Sequence, residues 1–193
     1  MSKCSSTKVS IYKYNISFNR GLKLIERFKR VNNIDFQLEL KLDFAEKYLG
    51  YYNYNSTENI IYINPIRCTH QKKNNLLGHP SDCSIYATIT HELAHFLDLK
   101  FKLVDEYTSK NFALKHLYLS SQGKENKIEE IAELISIYLI NPYYLKLADI
   151  ERYNWIKGKF KSPMSCGKKS FMKYYIRWSE EKQIKFVVDH GML

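Results

Sequence analysis

Two histidines four residues apart, with a glutamate after the first, are spaced for metal chemistry. In His91-Glu92-Leu93-Ala94-His95 the histidines would stand one turn apart on one face of a helix. Both imidazoles then reach a single ion. Glu92 lies about a quarter turn round. From there it can take a proton from water on the ion, and zinc lowers the pKa of such water to about 7. A catalytic zinc site uses three protein ligands and leaves one position open. A third ligand must therefore come from elsewhere in the chain.

The segment Ile128-Glu129-Glu130-Ile131-Ala132-Glu133 offers acidic candidates on a second predicted helix, Lys127 to Ile140, with Asn126 as its cap and Asn141-Pro142 as its stop. At about 100° per residue, Ile128, Ile131, Ala132, Ile135 and Leu139 form the core stripe. Glu129 sits at the edge of that stripe beside Ala132 and Ser136, small residues that permit close approach of the metal helix. Glu133 lies one turn further along the same edge, and Glu130 points away. The expectation is Glu129 as ligand and Glu133 holding a ligand histidine by its other ring nitrogen. Asp98, three residues after His95, lies on the same side of its helix. It is read as structural, a cap or a support to a ligand.

The elements that must carry these residues follow from pattern. Lys8 to Ile16 alternates loosely and reads as a strand, and Phe18 to Val31 has helical spacing. Phe36, Leu38, Leu40 and Leu42 alternate as in a half-buried strand. Tyr48 to Tyr54 and Asn59 to Ile63 read as a hairpin about the turn Asn55 to Glu58, ended by Pro65. Residues 67–81 form a loop, and Ser81 or Asp82 caps the metal helix, which runs to about Phe101. Further helices are expected from Tyr143 to Tyr153 and from Lys169 to Trp178. The class is α+β, with one helical layer on a three-stranded, mainly antiparallel sheet. Residues 1–150 form the domain, and 151–193 form a basic, aromatic extension packed on it.

Composition narrows the classes. Of 193 residues 45% are hydrophobic, enough for a core. No apolar run is long enough to span a membrane, so no membrane partner is expected, and MSKCSSTKVS lacks the apolar stretch of a secretory signal. The four cysteines form no Cys-x-x-Cys pair and read as thiols. Cys68-x-His70 and His79-x-x-x-Cys83 nevertheless leave open a second, structural zinc ion. The net charge is +10. Residues 152–185 hold ten basic side chains against Glu180 and Glu181. This region, with Trp155, Phe160, Phe171, Tyr174, Tyr175 and Trp178 among its lysines, is a candidate surface for nucleic acid or another polyanion. A solvated lysine-rich face is the plainer alternative.

His91-Glu92-Leu93-Ala94-His95 followed by Glu129-x-x-Ala132-Glu133 resembles the gluzincin group of zinc metallopeptidases. It is most similar to small phage-encoded versions and to ImmA/IrrE-type peptidases, over about residues 20–142. Glu133 departs from the Asn or Asp usual in the latter. The resemblance implies a zincin-like fold, one catalytic zinc on His91, His95 and Glu129, and a protein or peptide substrate. It also implies a cytoplasmic location, in the host or packaged in a virion. The mechanism it implies is attack of a zinc-bound water on a peptide carbonyl, with Glu92 as general base. An oxyanion donor is then needed, for which His116, Tyr118 and Tyr107 are candidates. The strand Asn59 to Ile63, taken as an edge, offers pairing to an extended substrate. Two other readings stay open. One is a nucleic-acid-associated protease similar to SprT-type enzymes. The other is a non-catalytic, zinc-stabilised virion protein that uses the basic region for binding.

Overall fold

The computed structural model describes residues 5–44, 47–69, 85–112, 119 and 122–163, with side chains in the first helix from Phe18 onward. These residues form six α-helices and three strands, an α+β arrangement. Among them no helix is long and apolar enough to cross a membrane.

Helix α1 spans Ser5–Asn32. The strand expected over Lys8 to Ile16 is therefore helical backbone. Its aromatic and β-branched residues have strand propensity, but extending an existing helix is easier than nucleating a separate element. The helix ends at Asn33, with φ 52°, a left-handed position that asparagine tolerates. The amides of Asn33 and Ile34 donate to the carbonyls of Arg30 and Lys29, closing the last turn as a Schellman motif.

The strands are β1 (Glu39–Leu42), β2 (Gly50–Tyr52) and β3 (Ile60–Ile63). Their order is β1-β3-β2. β2 and β3 pair antiparallel as the expected hairpin, while β1 runs parallel to β3. Two expectations are corrected here. The sheet is mixed, not mainly antiparallel, and β3 is central, so Asn59 to Ile63 is no edge for an incoming peptide. Alternation in a sequence reports which face is buried and not which strand is the neighbour. Leu40, Tyr52, Ile61 and Ile63 are buried. On the other face Tyr51 and Tyr62 stack at 4.7 Å. β1 is a charged edge in which Lys41 pairs with Glu39 and both are exposed.

Helix α2 (Ile85–Phe101) is buried at every position from Ile85 to Asp98 except Tyr86. It receives the sheet through Phe96, whose ring meets Phe36 and Tyr52 at 4.8 and 5.8 Å. Two glycines allow the approach. A Cβ on Gly21 of α1 would lie 2.4 Å from Ile89, and one on Gly50 of β2 would lie 2.7 Å from Thr88. Either would force a shift of the backbone or its neighbour.

After α2 the chain turns at Lys102, φ 52°, into α3 (Leu103–Ser109). Helix α4 covers Lys127–Ile140, and Asn126 caps it by accepting from the Glu129 amide. Asn141 ends α4 and caps α5 (Pro142–Ala148), with Pro142 where a helix has no use for its amide. The single helix expected from Tyr143 to Tyr153 is in fact two. Asp149 accepts from the Arg152 amide and starts α6 (Ile150–Lys159). A side chain that bonds its local backbone in this way competes with continuous helix. Ile156 and Phe160 belong to the same core cluster as α2 and α4, so the chain past residue 150 is part of that core as far as Pro163.

Candidate metal centre

Helices α2 and α4 lie side by side, and the hydroxyls of Thr90 and Ser136 meet between them at 2.9 Å. Small residues at the crossing bring the two backbones close, and the polar pair satisfies itself where no water reaches. One turn away the two helices present the histidines and the acidic residues to each other.

His91 Nε2 lies 3.1 Å from Glu129 Oε2, and His95 Nε2 lies 3.4 Å from Glu129 Oε1. One atom from each of His91, His95 and Glu129 falls within 4.8 Å of the others. A tetrahedral zinc site with bonds of 2.0–2.2 Å sets its ligand atoms about 3.4 Å apart. Two imidazoles and a carboxylate are also the donor set zinc takes, so the residues fit the ion in kind and lie near enough to share one.

Both histidines have their second ring nitrogen occupied. His91 Nδ1 lies 2.8 Å from Glu133 Oε1. His95 Nδ1 lies 2.5 Å from the Tyr54 hydroxyl. Such partners set how each ring is turned. Glu129, Glu133, His91 and His95 are thus drawn together by two helices and one hairpin turn.

The electrostatics follow from burial and from the carboxylates. For His91, burial works to lower the pKa. Its hydrogen bonds to Glu129 and Glu133 outweigh that and hold it at about 10. Glu129 is pushed up by burial but held well below the usual carboxylate range by His91 and His95. Without a cation, a proton on His91 therefore balances its two acidic neighbours. Glu92 is buried, and burial raises its pKa. The two imidazoles and the backbone amide of Tyr52 work against the rise, while Glu129 adds to it. The Tyr54 hydroxyl is also raised by burial, with Asp98, Glu129 and Glu92 adding to the effect.

Asp98 is buried, and its Oδ1 accepts from the Val104 amide at 2.7 Å. It caps α3 across the Lys102 corner, and burial raises its pKa. The core stripe assigned to α4 needs correction. Ile128 is 40% exposed and Glu130 only 1%. Glu130 does point away from the histidines, but into a buried cluster. Its Oε1 accepts from the Tyr107 hydroxyl and from Arg152, and its Oε2 from Lys127. Tyr107 is thereby committed to Glu130 and is no oxyanion donor. Arg152 is removed from the proposed polyanion surface, and Lys159 is paired with Glu106.

His116 and Tyr118 lie outside the described residues. So do His70, His79 and Cys83, the caps Ser81 and Asp82, and the chain beyond residue 163 with its expected helix and remaining lysines. Cys68 is buried. Its thiol donates to the Leu49 carbonyl at 3.3 Å and lies 3.5 Å from Thr88 Oγ1.

Sequence reasoning did not find Tyr54 or the Glu130–Arg152 pair. Tyr54 is one of 16 tyrosines and lies past the end of β2, so nothing local marked it. For the pair there was no local signal, because its partners are 22 residues apart. No family model, curated protein or solved structure matches the chain.

Proposed function

We propose that the chain is a zinc-dependent metallopeptidase acting on protein or peptide substrates, with His91, His95 and Glu129 as ligands and Glu92 as general base. What carries the reading is the convergence of His91 Nε2, His95 Nε2 and both Glu129 oxygens, with each Nδ1 held from behind. A bound zinc ion would supply the lowered pKa of a water and the polarisation of a carbonyl. Glu92 takes the proton of the attacking water and returns it to the departing amine. The same residue serves in both directions because burial lifts its carboxyl toward the operating pH. Glu133 keeps the His91 ring turned so that Nε2 faces Glu129. Leu93, Ala94, Ile131 and Ala132 on the same two helices are fully buried in the core.

Elemental analysis of the wild type and of Glu129→Ala tests the ligand set. One zinc per chain is expected in the wild type, mostly lost in the variant. A zinc-loaded sample should also cleave an unfolded protein substrate. Glu92→Gln should keep its zinc and lose about 10²–10⁴-fold in rate. A folded wild type that takes up no added zinc would overturn the proposal.

A further inference from the structure

We infer that Tyr54, in the turn between β2 and β3, is a positioning residue of the metal centre, whose hydroxyl holds the orientation of the His95 ring. The inference rests on the reading of His91, His95 and Glu129 as ligands.

An imidazole that ligates through Nε2 must have its lone pair there, so its proton sits on Nδ1. His95 Nε2 is the nitrogen that faces Glu129, and Nδ1 faces Tyr54. The phenol oxygen can accept that proton when His95 ligates, and the hydroxyl can donate to Nδ1 when Nε2–H faces the Glu129 carboxylate, so the contact holds the ring in either tautomer. Orientation is secured by packing. The Tyr54 ring stands edge-on to His95 at 5.5 Å and to Tyr52 at 5.5 Å. Tyr52 in turn stands edge-on to Phe96 at 5.8 Å. Because Phe96 follows His95 on α2, the hairpin grips the helix at two consecutive residues. The hydroxyl cannot swing away from Nδ1 without disturbing this aromatic chain.

The two histidines are then held differently. His91 has a carboxylate behind it and His95 a neutral phenol. A second carboxylate at position 54 would have added a charge beside Asp98, Glu129 and Glu92. A phenol supplies the acceptor without the charge. It also makes the hairpin, and not the two helices alone, a determinant of the centre.

The test is Tyr54→Phe in the full chain, which keeps the ring and removes only the oxygen. Zinc affinity, measured by competition with a chelating indicator, should fall about 10–100-fold. The visible spectrum of the cobalt-loaded protein should shift. The melting temperature of the metal-free protein should stay within about 2 °C. Tyr62→Phe, on the far face of the sheet, should change none of these. Affinity within twofold of wild type together with an unchanged cobalt spectrum would overturn the inference. A readout that needs no metal is the His95 side-chain ¹⁵N resonance, identified with His95→Gln. If wild type takes up neither zinc nor cobalt, the ligand reading fails and this resonance decides alone. Movement of Nδ1 in Tyr54→Phe upholds the grip on the ring, and no movement refutes it.

Discussion

Glu129 and Glu130 are neighbours on α4, yet they enter polar clusters of opposite character. Glu130 joins Asp149, Arg152, Lys127 and Tyr107, where two carboxylates meet two permanent cations and a hydroxyl. That cluster is balanced by its own side chains. Glu129 joins Glu92 and Glu133 around His91 and His95. Here three carboxyl groups face two imidazoles, and no lysine or arginine is among the partners named above. Protons can balance these groups, as the raised pKa of His91 indicates, and a metal cation would do the same. The first cluster locks α6, α4 and α3 together, and the second gathers titratable groups that face one another across α2 and α4. Two adjacent residues of the same type are thus sorted into different surroundings by the direction in which the helix points them.

The contrast can be broken from either side. The largest effect is expected at Arg152. Arg152→Met leaves Glu130 buried without its main counter-charge and should cost about 3–5 kcal/mol of stability. Denaturant unfolding with and without zinc should give the same loss. Combining it with Glu130→Gln should recover part of that loss.

On the other side, zinc at about 1,000 times its dissociation constant should stabilise the wild type by about 4 kcal/mol. Glu129→Ala should remove that increment and disturb the metal-free protein less than Arg152→Met does. Equal losses in the two variants without zinc would erase the distinction. Glu133→Gln is a smaller change, because an amide oxygen can still accept from His91. Zinc affinity should fall by about tenfold, the low end of such effects.

The smallest effect belongs to the exposed pair Glu106–Lys159. Lys159 and then Trp155 hold the Glu106 carboxyl below its ordinary value of 4.5. A carboxyl depressed in the folded state stabilises above its unfolded pKa, and the gain is lost as pH falls below it. Glu106→Gln should therefore cost under about 1 kcal/mol at pH 7, and the difference from wild type should vanish in acid. A pH titration of the melting temperature checks the sign.

Local signals were enough for α4. A capping asparagine, a stripe of isoleucines and Asn141-Pro142 mark Lys127–Ile140 as it stands. The hairpin was legible for the same reason, since polar turn residues separate two β-rich runs. What escaped depends on partners distant in the chain. The parallel pairing of β1 with β3 is marked by nothing in Phe36 to Leu42. Ile128 looked like core because the periodicity was read as one apolar stripe. In fact α4 is buried on nearly every side, and Glu130 is inside because Arg152 is there to receive it. Of the centre, His91, Glu92, His95 and Glu129 were legible as a pattern of spacing. Tyr54 was not, because one tyrosine among 16 carries no mark of the histidine it will meet.

The sheet has one further consequence. With β3 in the middle, β1 has a side that pairs with no strand among the described residues. Bare strand edges invite the same strand of another molecule to add on, which is how ordered aggregates start. β1 is four residues long, and of these Glu39, Lys41 and Leu42 face solvent. A second copy laid alongside in parallel register would set like charge beside like charge at Glu39 and at Lys41. The small sheet can thus stay open at this side with little risk of polymerising.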